Sequence, residues 1–386
     1  MNITLQPRVL RWVRERAGLS KADLADGLGL GLDKIEDWER QGALTFGQAE
    51  RIAKKTHAPL GYLFLQEPLR EPLPIPDLRT VAGQRASEPS LELLDTLDEA
   101  ERRQDWYRDY VHSENLAPLD FVKSISLNTN HDIAAQSIRA RVGFQTEIRA
   151  LASTWETALT LQIEQIEESG VLVMRNGIVG ANTRRPLSVE EFRGFALADK
   201  YAPLIFLNGV DGKAAQMFTL AHELVHIWLG ESGISNLSRT YAVAQRVEAF
   251  CNSVAAKVLA PDGEVQAIWP EARTKESPWE WIGRRFKLSS LVVLRRLADL
   301  RLIRRSEFDQ AYEEQEQKFA QPEARTGGGG NYYTIQKYRV SPRFARAVIE
   351  STAEGKTSFR DALNLLGMKK TDTFRRFAKE QYNFSF

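Results

Sequence analysis

A single cysteine, Cys251, in 386 residues excludes a disulfide framework and suits a reducing compartment. Long apolar runs are missing as well. No stretch approaches the roughly 18 uncharged apolar residues that span a bilayer. The N-terminus, Met1-Asn-Ile-Thr-Leu-Gln-Pro, lacks the basic and apolar segments of an export signal. The expected compartment is the cytoplasm, with no membrane partner. Nor is there a surplus of charge: 52 Lys and Arg oppose 51 Asp and Glu, so any attraction to nucleic acid must come from local clusters. What is present is ordinary for a folded chain. Hydrophobic residues make up 43% and charged residues 27%, which excludes disorder throughout, and the length bounds two or three domains.

From Gln6 to Leu65 apolar residues recur at helical intervals, as Val9, Leu10, Val13, Leu24, Leu28, Ile35, Trp38 and Ile52. Ser20, with Asp23 three residues on, is an expected capping box, and Leu28-Gly-Leu-Gly31 breaks the pattern before a second run that ends near Gly42. Helix, glycine turn, helix is the helix-turn-helix pattern. Arg14-Glu-Arg-Ala-Gly-Leu-Ser20, Leu24-Ala25 and Ile35-x-x-Trp38-Glu39 resemble the XRE-type domain of phage repressors. That resemblance implies DNA contact by the second helix, through Lys34 and Arg40. The same helix carries Asp33, Glu36, Asp37 and Glu39, a balance that repels phosphates, so a protein-binding role competes with the DNA-binding one.

Prolines crowd Glu67 to Pro89, an expected connector, and helical periodicity resumes from Leu91 to Leu116, Ala134 to Val142 and Ala150 to Glu168. Gly170 to Met174 and Ala202 to Asn208 read as buried strands ahead of a distinctive helix. In Met217-Phe-Thr-Leu-Ala-His222-Glu223-Leu-Val-His226, two imidazoles sit at i and i+4 on one helix face, spaced to chelate one zinc, and Glu223 is placed to act as general base. A catalytic zinc needs a third protein ligand. Glu248 is the candidate on the following helix, with Asn252 one turn on to orient a histidine ring. Cys251 competes, although an isolated cysteine is more often a small buried hydrophobe. If the fold is that of other zinc peptidases, an extended substrate would pair with a strand beside the helix, for which Ala202 to Asn208 is the candidate, a central core strand being the competing reading of the same run.

Phe218-Thr-Leu-Ala-His222-Glu-Leu-Val-His226, Glu248-x-x-Cys-Asn252-x-x-Ala255 and Leu259-x-Pro261 resemble the ImmA/IrrE family of zinc peptidases, as do Glu191 to Leu197 and Pro203 to Asn208. The resemblance implies His222, His226 and Glu248 as zinc ligands and Glu223 as general base. It also implies a bacterial or phage regulator that cleaves a repressor, antitoxin or toxin encoded nearby. Val254 and Ala260 depart from residues common in the family, while the ligands match.

Beyond this region, Trp281 to Arg305 has the cadence of a second helix-turn-helix with Ser289 as N-cap and holds eight Arg or Lys, Arg284, Arg285, Arg295 and Arg296 among them, against Asp299 alone. Such a density suits phosphate contact, and a merely solvated charged face is the competing reading. Residues 331 to 386 carry eleven Lys or Arg and five acids, with short helices expected at Phe359 to Gly367 and Phe374 to Lys379, a basic appendage open to an acidic partner, to nucleic acid or to a role as a cap on the domain.

The expected fold is mainly α with a small β-sheet, in the α+β class. Its segments are an all-α helix-turn-helix domain at 1–66, a linker at 67–90, a helical connector at 91–150, a zincin-like domain at 151–262, a basic helical segment at 263–325, a glycine hinge at 326–330 and a basic helical appendage at 331–386. The competing reading of function is a DNA-binding transcriptional regulator or antitoxin whose zinc site is sensory or structural.

Overall fold

The computed structural model describes residues 1–69, 80–81, 84–85, 89–144, 152–235, 242–319 and 332–386; most of the expected linker and the whole glycine hinge lie outside them. The described chain is mainly helical with small sheets, an α+β fold. It divides into two compact units, Met1–Pro74 with Ser87–Asp95, and Ile75–Ala86 with Thr96–Phe386.

In the first unit β1 (Asn2–Thr4) pairs antiparallel with β2 (Ala43–Thr45) around α1 (Pro7–Arg16), α2 (Lys21–Leu28) and α3 (Leu32–Gln41), and α4 (Phe46–Thr56) follows. Val9, Leu10, Val13, Leu24, Leu28, Ile35, Trp38 and Ile52 form the core that the periodicity predicts. The capping box at Ser20 is present in both directions, and Gly29 ends α2 in the left-handed region. Gly42 ends α3 with φ +71°, and a Cβ there would lie 1.9 Å from the Leu5 carbonyl oxygen. Only glycine fits that corner.

The acidic surface expected on α3 needs correction. Glu39 is buried and accepts from the Arg14 guanidinium at 2.5 Å and 3.2 Å. It braces α3 against α1. Glu36 pairs with Lys21 at 3.4 Å and Arg40 with Asp37, so little net charge of either sign is left on that helix.

The second unit contains β3 (Thr80–Val81) and β4 (Gln84–Arg85), a small antiparallel pair, and α5 (Leu91–Ser113) enters it at Thr96. Next come α6 (His131–Val142), α7 (Trp155–Glu168), β5 (Leu172–Asn176), β6 (Gly194–Leu197), β7 (Leu204–Asn208), α8 (Lys213–Leu229), β8 (Gly233–Ser235) and α9 (Ala242–Leu259). The four strands form one sheet in the order β5-β7-β6-β8. β5 and β7 are parallel, while β6 is antiparallel to both β7 and β8.

β7 is thus paired on both sides and buried along its whole length. The expectation that it receives an extended substrate is overturned, because its main-chain groups are already committed to β5 and β6. The two edges are β5 and β8 among the described residues.

Four further helices, α10 (Asp262–Ala272), α11 (Pro278–Phe286), α12 (Ser290–Asp299) and α13 (Arg305–Phe319), extend the core behind α9. Ser289 caps α12 as expected, accepting from the Val292 amide at 3.3 Å. The chain ends in α14 (Tyr332–Arg339), α15 (Pro342–Ala353), α16 (Phe359–Leu365) and α17 (Thr371–Tyr382).

α14 and α15 pack against the β5 edge. The Arg339 guanidinium donates to Asn176 Oδ1 at 3.1 Å, and Arg103 donates to the Leu365 carbonyl at 2.9 Å. At the centre of this contact Glu167, at the end of α7, accepts from the amides of Val173 at 2.9 Å and Arg343 at 2.6 Å. Burial pushes the Glu167 carboxyl up to about 7, although Ser341, Val173 and Arg343 donate to it. A carboxyl raised in this way stabilises the fold fully below its unfolded value, and the contribution disappears as pH rises through about 7. Denaturant midpoints should therefore fall between about pH 5 and about pH 8, and Glu167→Gln should flatten that slope. An unchanged slope in the variant would remove Glu167 as the cause.

Candidate metal centre

α8 is largely apolar and, apart from half-buried Phe218, buried from Gln216 to Leu229, the pattern of a helix run through the middle of a core. It ends at Gly230, with φ +71° and no room for a Cβ beside Lys123. His222, Glu223 and His226 are fully buried on this helix. α9 packs along α8 and brings up Glu248, which is 6% exposed. Around α9 the Lys257 ammonium bonds Asp132 and Asp262, Arg139 donates to the Val258 carbonyl at 2.7 Å, and Ser253 meets His131 Nδ1 at 2.8 Å. The helix is fixed in register over the site.

Three groups then converge. The Nε2 atoms of His222 and His226 face each other at 3.2 Å. Glu248 Oε2 lies 3.2 Å from the first and Oε1 lies 3.3 Å from the second. Asn252 Oδ1 is 3.0 Å from His222 Nδ1. Because that oxygen can only accept, Nδ1 carries the proton, and Nε2 turns a lone pair towards Glu248 and His226.

Two ring nitrogens and a carboxylate packed this closely repel unless a cation sits among them. Burial opposes the charged form of His222, but Glu248 outweighs it and raises the pKa. Burial likewise favours the neutral acid at Glu248, but the two imidazoles hold that carboxyl well below its usual range. The spacing suits a metal as well as a proton. Ligand atoms about 2.0–2.1 Å from a tetrahedral ion stand about 3.3 Å apart, close to the separations seen.

Cys251 is the other donor nearby, with its sulfur within 4.8 Å of a ring nitrogen of each histidine. Burial, followed by the charges of Glu248 and Glu223, pushes this thiol well up, so it holds its proton while Glu248 is already an anion. Of the two, Glu248 is the one that carries a charge towards the rings.

The sequence reading missed one participant. Gly194 on β6 faces α8, and a Cβ there would lie 2.7 Å from Thr219 Cγ2, 2.8 Å from the Phe206 carbonyl oxygen and 3.3 Å from Glu223 Oε1. The glycine lets the sheet approach the helix where Glu223 sits. No local pattern marks it, since the close approach exists only in three dimensions.

The residues expected to touch nucleic acid are scattered. Lys34 and Arg40 lie on α3, Arg284 and Arg285 are exposed on α11, and Arg295 is exposed on α12. Arg296 is a correction. It is 2% exposed, donates to the Ala260 carbonyl at 3.1 Å and 3.2 Å, and pairs with Asp262. Its charge joins α12 to the end of α9 and is closed to phosphate.

Residues 166–298 match the family model described as the IrrE N-terminal-like domain of M78 peptidases, which encloses the whole site and supports a metallopeptidase-type function. Residues 340–380 match a domain of unknown function. No curated protein and no solved structure matches the chain.

Gly194→Ala tests the close packing beneath the site. Because one of its neighbours is strand main chain, the overpacking should cost about 1–3 kcal/mol. Chemical denaturation reads this directly, and stability equal to the wild type would show that β6 can recede from α8.

Proposed function

We propose that the second unit is a zinc-dependent endopeptidase, with His222, His226 and Glu248 as the metal ligands and Glu223 as the general base. The observation that carries this reading is the convergence of two Nε2 atoms and one carboxylate at tetrahedral spacing, with a second carboxylate next in sequence. Zinc bound there supplies Lewis-acid charge that polarises a peptide carbonyl and makes a water molecule acidic near neutral pH.

The chain's own groups do the rest. Asn252 fixes the His222 ring through Nδ1, which keeps Nε2 available. The Glu223 carboxylate accepts a proton from the attacking water and returns it to the departing amine. An extended substrate pairs along β8, which among the described residues has only β6 as a partner. The reaction is the limited cleavage of one partner, a repressor, antitoxin or toxin, and the first unit is an XRE-like module that selects it.

The competing reading, a DNA-binding regulator with a structural or sensory zinc, finds less support. A purely structural ion needs no neighbouring base, and α3 offers DNA little net positive charge.

Metal content and cleavage separate the roles of these residues. Glu223→Gln should retain one zinc per chain by elemental analysis and lose at least about 100-fold in cleavage. Glu248→Ala should lose the metal, whereas Cys251→Ser should keep it. Cleavage is read as new protein N-termini in cells producing the wild type and missing from cells producing Glu223→Gln. Wild-type cleavage by Glu223→Gln would reject its role, and metal loss in Cys251→Ser with retention in Glu248→Ala would reassign the ligand.

A further inference from the structure

Three segments of the chain follow a helix-turn-helix order, and their surfaces differ in charge. On α3 the exposed charges nearly cancel, because Arg40 and Glu36 are engaged by Asp37 and Lys21. On α12 the forward residues are apolar, Arg296 is buried against Asp262, and Arg295 lies 4.0 Å from Asp299. The groove beside it, lined by Arg295, Asp299, Arg301 and Arg305, includes an acid of its own, and Arg305 pairs with Asp309 at 3.0 Å.

The third segment is α16, a turn over 366–370, and α17. Ser358 caps α16 by accepting from the Asp361 amide at 3.1 Å, and Gly367 turns the chain with φ +62°. Ala362, Leu366, Met368, Phe374, Phe377 and Ala378 are buried, so the pair has its own apolar seam. The opposite face of α17 is exposed at Arg375, Arg376 and Lys379, with Lys369 and Lys370 immediately ahead of its first turn and Arg360 exposed near the start of α16. From Arg360 to the end of α17 six cations meet three acids, of which Asp361 bonds the capping Ser358 at 2.7 Å and Glu380 pairs with Arg376 at 2.6 Å, leaving Arg360, Arg375 and the three lysines in excess. Lys369, Lys370 and Lys379 form no ion pair among the described residues.

We infer that α16 and α17 form a duplex-DNA-binding module, with α17 entering the major groove and Lys369, Lys370 and Lys379 on the flanking phosphates. The second helix of such a pair presents its early residues to the groove while the first crosses the backbone, which places Arg375 inward and Arg360 over a strand. The buried contacts of α14 and α15 with β5 hold this module on the catalytic unit, so the site and the DNA-binding face travel together.

The test is fluorescence anisotropy of the full-length chain with a mixed-sequence duplex of about 30 base pairs. Three phosphate contacts predict that affinity falls roughly 40-fold between about 50 and about 200 mM salt. The triple variant Lys369→Ala, Lys370→Ala, Lys379→Ala should bind at least about 10-fold more weakly at low salt with a flatter salt dependence. Lys34→Ala with Arg40→Ala should bind like the wild type. Circular dichroism confirms that these exposed changes leave the fold intact. Three outcomes would overturn the inference: no binding at low salt, unchanged binding by the triple variant, or displacement of the duplex by a poly-glutamate peptide at equal charge, which would make the face a protein-binding one.

Discussion

Burying two imidazoles and a carboxylate within about 3.3 Å of one another is the constraint on which the second unit is organised. Left to themselves, three acceptor groups in a low-dielectric interior oppose folding, and the opposition is relieved only by a positive charge held between them. The surrounding structure has the features needed to keep that arrangement from relaxing. α8 is packed on all sides, and α9 is fastened to α6 by Lys257 and Arg139, to α10 by Lys257 and to α12 by Arg296. β6 gives up a side chain at Gly194 so that the sheet can press against the helix. Asn252 then fixes which ring nitrogen of His222 carries the proton.

The parts of this site that were legible in the sequence are the local ones. His222 and His226 declare themselves because four residues on a helix return to the same face, and Asn252 follows Glu248 by the same interval. Glu248 is separated from the histidines by a chain reversal, so its placement rests on family resemblance and chemical type more than on spacing. Gly194, the pairing of β6, and β8 carry no periodic signal, since strands of three or four residues between loops leave too short a pattern to read. β7 is legible as a buried strand, but an apolar run reads the same in the middle of a sheet as at its edge, which is why its expected role in substrate pairing fails.

Charge counts misled for a related reason. Glu39 and Arg296 each belong to a residue type that is almost always exposed, yet both are buried in ion pairs that join helices. Counting Glu39 made α3 look acidic, and counting Arg296 made α12 look basic. A sum along a helix treats every charge as facing solvent, whereas binding depends on the face that remains once the packing charges are removed. By that measure α17 is the one among the three second helices whose exposed cations exceed its exposed acids.

The two edges of the sheet complete the physical picture. An uncovered strand edge pairs with whatever extended chain it meets, so a protein that uses one edge must close the other. Here β5 is closed by α14 and α15, with Glu167 gathering the Val173 and Arg343 amides and Tyr338 donating to Glu164 at 2.7 Å. β8, on the opposite side of the sheet, lies next to β6 and therefore next to the strand that touches Glu223. Closing β5 confines any strand addition to the edge nearest Glu223. Under the endopeptidase reading proposed above, the C-terminal helices add to the selectivity of cleavage without touching the proposed ligands, because the β5 edge they cover is one that an extended chain could otherwise occupy unproductively.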